Sequence, residues 1–523
     1  MQYQNPIIPG YNPDPSICRV GDDFYLATST FEFFPGVPIY HSKNLVNWEL
    51  VNYCLTTDTQ LPLQGCRPSG GIYAPTIRYH DGMFYMVTTN VTHKGNFIVH
   101  TDDIRGQWSE PAWVKQGGID PSLFWDEDGT CYFVSNGSDK GERGIYLCKI
   151  NPLTGEMLTP SRLISKGCGG KAAEAPHIYK RDGWYYLMLA EGGTEYGHME
   201  TMQRAKDIFG PYEEGPRHPI LTHREDNSDY LSTAIQATGH ADIIEDQNGN
   251  WWLVCLAIRP IGHVMLHNIG RETFLAPLVW DEAGWPIVGN EGRIRLVMDA
   301  PLPGPAPTPV SHNFSDGFDG ETLDLNWNFV RNPERERYIL QDSCITLHGG
   351  ETTLSTPGGS PTMIALRQQA FVVSAEAKMA GPVAMGQKSG LTAFYNHSAH
   401  YDLFVTQKED GCYICLGKQV YDIDCVTASQ KIDYQGEIEL KVDSDNMWYT
   451  FSFRLPGGQW AELGRGMTAP LCTEATCMMT FTGTFIGLFS ERGKISFDSF
   501  GLTANESLPN PPARFTFEEK ETK

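Results

Sequence analysis

The chain has 523 residues, which at about 100–200 residues per domain argues for more than one folding unit. Its 40 basic and 63 acidic residues leave a net charge of −23, a surface that repels phosphate backbones and excludes nucleic acid as a partner. No apolar run approaches the length that spans a bilayer, so no membrane partner is expected. The N-terminal MQYQNPIIPGYNPDPS lacks the basic and apolar regions of a signal peptide, so the expected location is cytoplasmic. With 53 Gly, 34 Pro and 11% aromatic residues, the composition is turn-rich and points to an all-β protein.

The first 300 residues carry an internal repeat. Five segments share one pattern: a polar or small residue, an apolar pair, an Asp/Gly-rich turn, then an aromatic-rich strand. They read DPSICRVGDDFYLATS, APTIRYHDGMFYMVTT, DPSLFWDEDGTCYFVS, APHIYKRDGWYYLMLA and HADIIEDQNGNWWLVCL, starting at Asp14, Ala74, Asp120, Ala175 and His240. From those starts to Tyr25, Tyr85, Tyr132, Tyr186 and Trp252 the spacing is 11, 11, 12, 11 and 12. Turn chemistry makes each unit a hairpin, since D-D, D-G and N-G supply what tight turns require. A second phrase (HSKNLVNWELV, HTDDIRGQWSEP, RAKDIFGPYEEGP) marks further strands. Small sheets repeated at 46–65 residues predict a five-bladed β-propeller, whose innermost strands bring the repeat starts to a common axis.

Residues 300–311, APLPGPAPTPVS, hold five prolines and read as a stiff extended linker between a domain 1–299 and a domain 312–523. Beyond it, YDLFVTQ, CYICLG, EIELKV, WYTFSFRL and FIGLFS alternate as strands do. A jelly-roll or lectin-like β-sandwich is predicted there. The 13 cysteines are scattered, and the one close pair, Cys412 and Cys415, has no second pair or histidines beside it. Buried reduced thiols are expected rather than zinc.

Superposing the repeats brings Asp14, Asp120, Glu174 and His240 to one rim. An Asp before Pro is by itself a common turn starter. Three acids at equivalent places around one axis repel and resist burial, so their convergence favours catalysis. A carboxyl pair flanking a labile acetal is the minimal apparatus of glycoside hydrolysis. Glu174, in KAAEAPH, has the poorly solvated surroundings that suit a protonated acid; Asp14, in YNPDPS, suits an ionised base. Asp120, in GGIDPS, is placed to tune the acid.

These motifs carry a resemblance. NPIIPGYNPDPSICRVGDDFYLATSTFEFFPGVPIYHSKNLVNWELV, GIYAPTIRY, GGIDPSLFWDEDG, EAPHIYKRDGWYYLMLAEGGTEYGHM, QATGHADIIED and IGRETFLAPLVW together resemble glycoside hydrolase family 43, in its β-xylosidase and α-L-arabinofuranosidase branch. The C-terminal half is similar to the concanavalin A-like sandwich of those xylosidases. The resemblance implies a five-bladed propeller and an inverting mechanism. It implies Asp14 as general base, Glu174 as general acid and Asp120 as the carboxylate that modulates the acid. It also implies sugar contacts from Arg271, Phe31, Tyr73 and Phe485, the last closing the pocket from the second domain. Tyr73 stands where many relatives carry Trp. His240 matches a histidine that in several relatives lies at a central metal, often calcium, or at a water in its place, and no cofactor is required for the chemistry. Inversion needs room for a water, so the two catalytic carboxyls are expected roughly 6.5–9.5 Å apart.

The leading expectation is therefore an exo-acting hydrolase that removes terminal β-D-xylose from short xylo-oligosaccharides. GNWWLVCLAIRP and GRETFLAPLVW depart from xylosidase wording, which keeps a primary α-L-arabinofuranosidase as the alternative. A non-catalytic sugar-binding protein is opposed by the intact carboxylate set, and a protein-interaction propeller would leave that set unexplained. The aromatic-rich sandwich also admits a homo-oligomer.

Overall fold

The structure is a computed structural model and describes residues 1–225, 235–261, 266–476 and 480–505. Five antiparallel sheets follow one another along the first part of the chain. Blade 1 comprises Ser16–Val20, Asp23–Ala27, Gly36–Ser42 and Glu49–Leu55; blade 2 comprises Thr76–His80, Met83–Asn90, Gly95–Thr101 and Ala112–Trp113. Blade 3 is Ser122–Trp125, Cys131–Asp139, Glu142–Lys149 and Arg162–Ser165. Blade 4 is Glu174–Arg181, Trp184–Glu191, Met199–Ala205 and Glu213–Glu214, with Leu221–Thr222 also on its third strand. Blade 5 is Gln236–Glu245, Trp251–Ile258, Glu272–Trp280 and Pro286–Val288.

The repeat is visible in the pairing register. The fourth residue after each repeat start lies opposite the spaced aromatic: Cys18 with Tyr25, Arg78 with Tyr85, Phe124 with Tyr132, Tyr179 with Tyr186, Ile244 with Trp252. Where the spacing is 11, the hairpin closes tightly, as in His80–Met83 and Arg181–Trp184. There Asp81–Gly82 and Asp182–Gly183 all have positive φ, as the primed hairpin turns demand. Where it is 12, the turn is longer, between Trp125 and Cys131 or Glu245 and Trp251.

The propeller closes through its N-terminal strand, Gln2–Gln4, which pairs with Val297–Asp299. On the axis one ion pair stitches four blades together. Asp242 of blade 5 is fully buried and accepts from Ser16 Oγ (2.6 Å) and the Ile17 amide of blade 1, Arg78 Nη1 (2.7 Å) of blade 2 and the Tyr179 hydroxyl (2.6 Å) of blade 4. Arg78 Nη2 also meets His177 Nδ1 at 2.8 Å. Burial, and then the neighbouring Arg78, keep His177 neutral, with its pKa lowered to about 3 although Asp242 pulls the other way. Arg78 and the ionised Asp242 neutralise each other where either alone would be costly.

The second part is two facing sheets. One contains Met363–Arg367, Phe485–Glu491, Lys388–Asn396, Ala399–Lys408, Gly411–Val420 and Ile423–Ile432; the other is built around Val372–Ala380, Lys494–Asn505, Glu437–Ser444 and Trp448–Arg454. Val373, Ala375, Ala377 and Met379 alternate inward and share one core with Leu391, Leu403, Phe451 and Leu488, as two apolar sheet faces require. Cys412 and Cys415 are buried, and all twelve described cysteines are free.

Sandwich and propeller are joined by backbone pairing. Phe329–Val330 pairs with Phe33–Phe34, and the Arg331 amide continues the contact to Glu32 O at 2.8 Å. The proline-rich stretch lies against blade 1, where Asn44 Nδ2 donates to Pro305 O and Asn47 Nδ2 to Thr308 O. Among the described residues no helix is long and apolar enough to cross a membrane. The end of the expected second domain, 506–523, lies outside the described residues.

Candidate active site

The starts of the inner strands bring chemistry to one end of the axis. Asp14, Asp120, Ala175 and His240 all adopt left-handed backbone, with φ of 54°, 53°, 51° and 51°, a conformation uncommon for non-glycine residues and frequent at functional sites. Asp14, Ala74, Asp120, Glu174 and His240 then line a single cavity of about 220 Å³, with Phe31, Tyr73, Ile119, Lys171, Thr194, Glu195, Arg271 and Phe481.

Asp14 is held on every side. Ser29 Oγ and Arg271 Nη1 (3.1 Å) donate to its carboxylate, and His240 Nδ1 lies 3.6 Å away. Burial pushes its pKa up, but Arg271, His240 and the Ser29 hydroxyl outweigh burial and leave it below the usual carboxylate value. Asp14 is therefore ionised at neutral pH.

Glu174 opens the inner strand of blade 4 among Ala172, Ala173 and Ala175. Burial, then the charge of Asp14, raise its pKa to about 7, against the pull of Arg271 and Lys171. Asp120 is raised too, by burial and then by repulsion from Glu174 and Asp14. The two carboxyls form a coupled pair that retains a proton near neutrality. The Ala175 amide donates to Asp120 and opposes the rise in its pKa without reversing it, so the proton is held by the pair,.

Arg271 ties the site together. Its Nη1 also reaches Thr194 Oγ1 at 2.8 Å, and its guanidinium lies over Phe481 at 5.1 Å and Phe31 at 5.7 Å. Phe31, Tyr73 and Phe481 form an aromatic wall, with ring centroids 5.4–6.0 Å apart; such rings stack on the apolar faces of sugars. Arg67 Nη2 donates to the Tyr73 hydroxyl at 3.2 Å.

One expected contact is corrected. Phe485 does not reach the cavity: it is fully buried, stacked on Phe33 at 4.1 Å and edge-on to Tyr11. Phe485 begins a paired strand and faces the propeller–sandwich core, whereas Phe481 lies in the preceding loop. The Phe481 amide donates to Ser69 Oγ of the propeller at 2.8 Å, which presents its ring to the cavity. Phe481→Ala should therefore raise KM about five- to tenfold with little change in Tm, since a partly exposed wall is lost. Phe485→Ala should instead destabilise the fold by about 3–5 kcal/mol; thermal melts beside kinetics separate the two.

The calcium expected at His240 is not matched by the side chains around it. A calcium ion takes about six to eight oxygen ligands. Asp14, the carboxylate beside His240, already accepts from Ser29 and Arg271, and that guanidinium repels a cation. Among the described residues no three His, Cys, Asp or Glu side chains are placed to share an ion. Burial lowers the pKa of His240, so its imidazole stays neutral beside Asp14.

Thr194, Lys171, Glu195, Ile119, Phe481, Ala172 and Gly193 are the cavity residues that sequence reasoning did not single out. Thr194 and Glu195 stand in the EGGTEYGHM phrase, and Lys171 precedes Glu174 by three places, so the signal was adjacency to motifs already recognised.

A propeller that presents an ionised and a protonated carboxyl to one aromatic-walled cavity has the apparatus of a glycosidase. The family description Glycosyl hydrolases family 43 matches residues 3–286, and Beta xylosidase C-terminal Concanavalin A-like domain matches 315–500. The chain belongs to glycoside hydrolase family 43. It is 40% identical over 495 residues to a non-reducing end alpha-L-arabinofuranosidase of Bacteroides ovatus, covering 93% of this chain and 91% of that one. A beta-xylosidase of Bacillus subtilis is 33% identical over 530 residues, covering 93% and 96%. Among solved structures, a xylan beta-1,4-xylosidase from Bacillus halodurans superposes with a TM-score of 0.89 at 33% identity, covering 96% of this chain and all of that one.

Proposed function

We propose that the protein is an exo-acting, inverting glycosidase that releases terminal β-D-xylose from xylo-oligosaccharides and also cleaves α-L-arabinofuranosides. The observation that carries this reading is the opposite tuning of two carboxyls in one cavity, Asp14 held below its ordinary pKa and Glu174 raised to about 7. Glu174 donates its proton to the glycosidic oxygen as the bond to the anomeric carbon breaks. Asp14 takes a proton from the water that attacks that carbon from the opposite face. Asp120 holds and tunes Glu174, and Arg271 orients Asp14 and binds sugar hydroxyls.

The cavity has room for little more than one monosaccharide and is walled by Phe481 of the second domain, which supports removal of terminal units rather than internal cleavage. The names of the relatives support both sugars, and the two pentoses offer similar hydroxyl patterns to one pocket. The 40% identity to an arabinofuranosidase favours arabinose as the alternative main substrate. Hydrolysis of 4-nitrophenyl β-D-xylopyranoside and α-L-arabinofuranoside side by side tests the reading. Turnover of at least one is expected, and the ratio of kcat/KM ranks the sugars. A folded protein that cleaves neither would overturn it.

The pH dependence follows from the same two groups. Glu174 must be protonated, so kcat/KM is expected to fall as pH rises through about 7. Asp14 must be ionised, so the acid limb is expected below the usual carboxylate range. Asp120→Asn removes a negative neighbour of Glu174 and should move the alkaline limb down by about one unit; kcat/KM profiles on an aryl xyloside read both limbs.

A further inference from the structure

We propose that Lys171 and Glu195, on the two loops of blade 4 that rim the cavity beside Glu174, form the subsite for the departing sugar. The inference rests on the glycosidase reading and extends it to the leaving-group side. Phe31, Tyr73, Phe481, Arg271 and the base Asp14 line the pocket, and Lys171, Ala172, Gly193 and Glu195 line it from the loops that flank Glu174. In a single displacement the leaving oxygen departs from the face opposite the attacking water, toward the acid that protonates it. The departing sugar must then pass over blade 4. The enclosed volume holds the terminal unit, so the rest of the substrate lies at the rim.

The rim there is built to present charge. The loop before Glu174 is anchored from below: the fully buried Glu191 carboxylate accepts from the Cys168 amide at 2.8 Å and the Gly170 amide at 2.6 Å. The Gly192 amide donates to Lys171 O at 2.7 Å, and Asn136 Nδ2 donates to Ala173 O at 3.0 Å. The Lys171 ammonium itself is free of that scaffold. It lies over Gly193, 3.5 Å from where a Cβ there would stand, an ordinary contact distance. Its partner Glu195 is 3.9 Å away, and the side chains are 71% and 52% exposed. An ion pair so long and so wet contributes little to the fold, and its donors and acceptors are at hand for the hydroxyls of a second pentose. Lys171 also acts on the acid, since its positive charge lowers the pKa of Glu174.

The test compares substrates that differ only beyond the scissile bond: β-1,4-xylobiose and 4-nitrophenyl β-D-xylopyranoside. In Lys171→Met and Glu195→Gln the ratio of kcat/KM, disaccharide over aryl glycoside, should fall about tenfold from wild type, the loss of hydroxyl contacts to the leaving sugar. Lys171→Arg should restore part of that ratio. Lys171→Met should also move the alkaline limb of kcat/KM to higher pH, a shift that a merely structural lysine would not cause. A ratio within about twofold of wild type in both variants would overturn the subsite, because the pair would then be only a solvated surface contact. A wild type that cleaves neither substrate would overturn the glycosidase reading and the subsite with it.

Discussion

Glu174→Ala should lower kcat on β-1,4-xylobiose by about 10²–10⁴-fold, the contribution of a placed general acid. A sugar alkoxide is a poor leaving group, and Glu174, with its pKa raised to about 7, is the carboxyl placed to protonate it. The loss should shrink with leaving-group basicity, so that an activated aryl xyloside suffers far less than the disaccharide. The alkaline fall near pH 7, which reports Glu174, should vanish from whatever activity remains. An equal loss on all leaving groups would mean that Glu174 is not the acid.

Asp14→Asn should lower kcat by a comparable factor, about 10²–10⁴-fold, but without regard to the leaving group, because the missing step is activation of water. Asparagine is the right replacement here. Asp14 sits at φ 54°, where Asn is tolerated and Ala costs about 1–2 kcal/mol. Asn can also keep the Ser29 hydrogen bond, so the variant should fold and bind sugar. There is a second signature. The charge of Asp14 helps to raise the pKa of Glu174, so the residual activity should show its alkaline limb at lower pH. Stopped assays across a leaving-group series read both effects. A loss that tracks leaving-group basicity would contradict the assignment of Asp14.

The propeller was legible because its turns are written in residues with few alternatives. Asp-Gly at 81–82 and 182–183 requires the primed hairpin, and the aromatic seven or eight places further on from its partner sets the register. The convergence of Asp14, Asp120, Glu174 and His240 followed from superposing the repeats, with no need to know how the blades pack. Arg78 shows the limit. In APTIRYH it reads as an ordinary strand arginine, and only ring closure reveals that it faces Asp242, 164 residues away. Phe481 and Phe485 show another. FTGTFIGLF offers three phenylalanines, 481, 485 and 489, and which one meets the cavity depends on where the strand begins and how the sandwich docks. Pairing of Phe329–Val330 with Phe33–Phe34 and the Phe481–Ser69 contact fix that docking, and neither has a local sequence signal. Lys171 and Glu195 read as surface charges because charge on a loop is ordinarily just that.

The central claim is that Asp14 and Glu174 divide the work of a single displacement. Proton NMR of β-1,4-xylobiose during the first moments of hydrolysis tests it most directly, before mutarotation equalises the anomers. Xylose from the non-reducing end should appear first as the α-anomer, because water delivered by Asp14 attacks the face opposite the bond that Glu174 protonates. First appearance of the β-anomer would mean two displacements through a covalent intermediate, and would contradict the account.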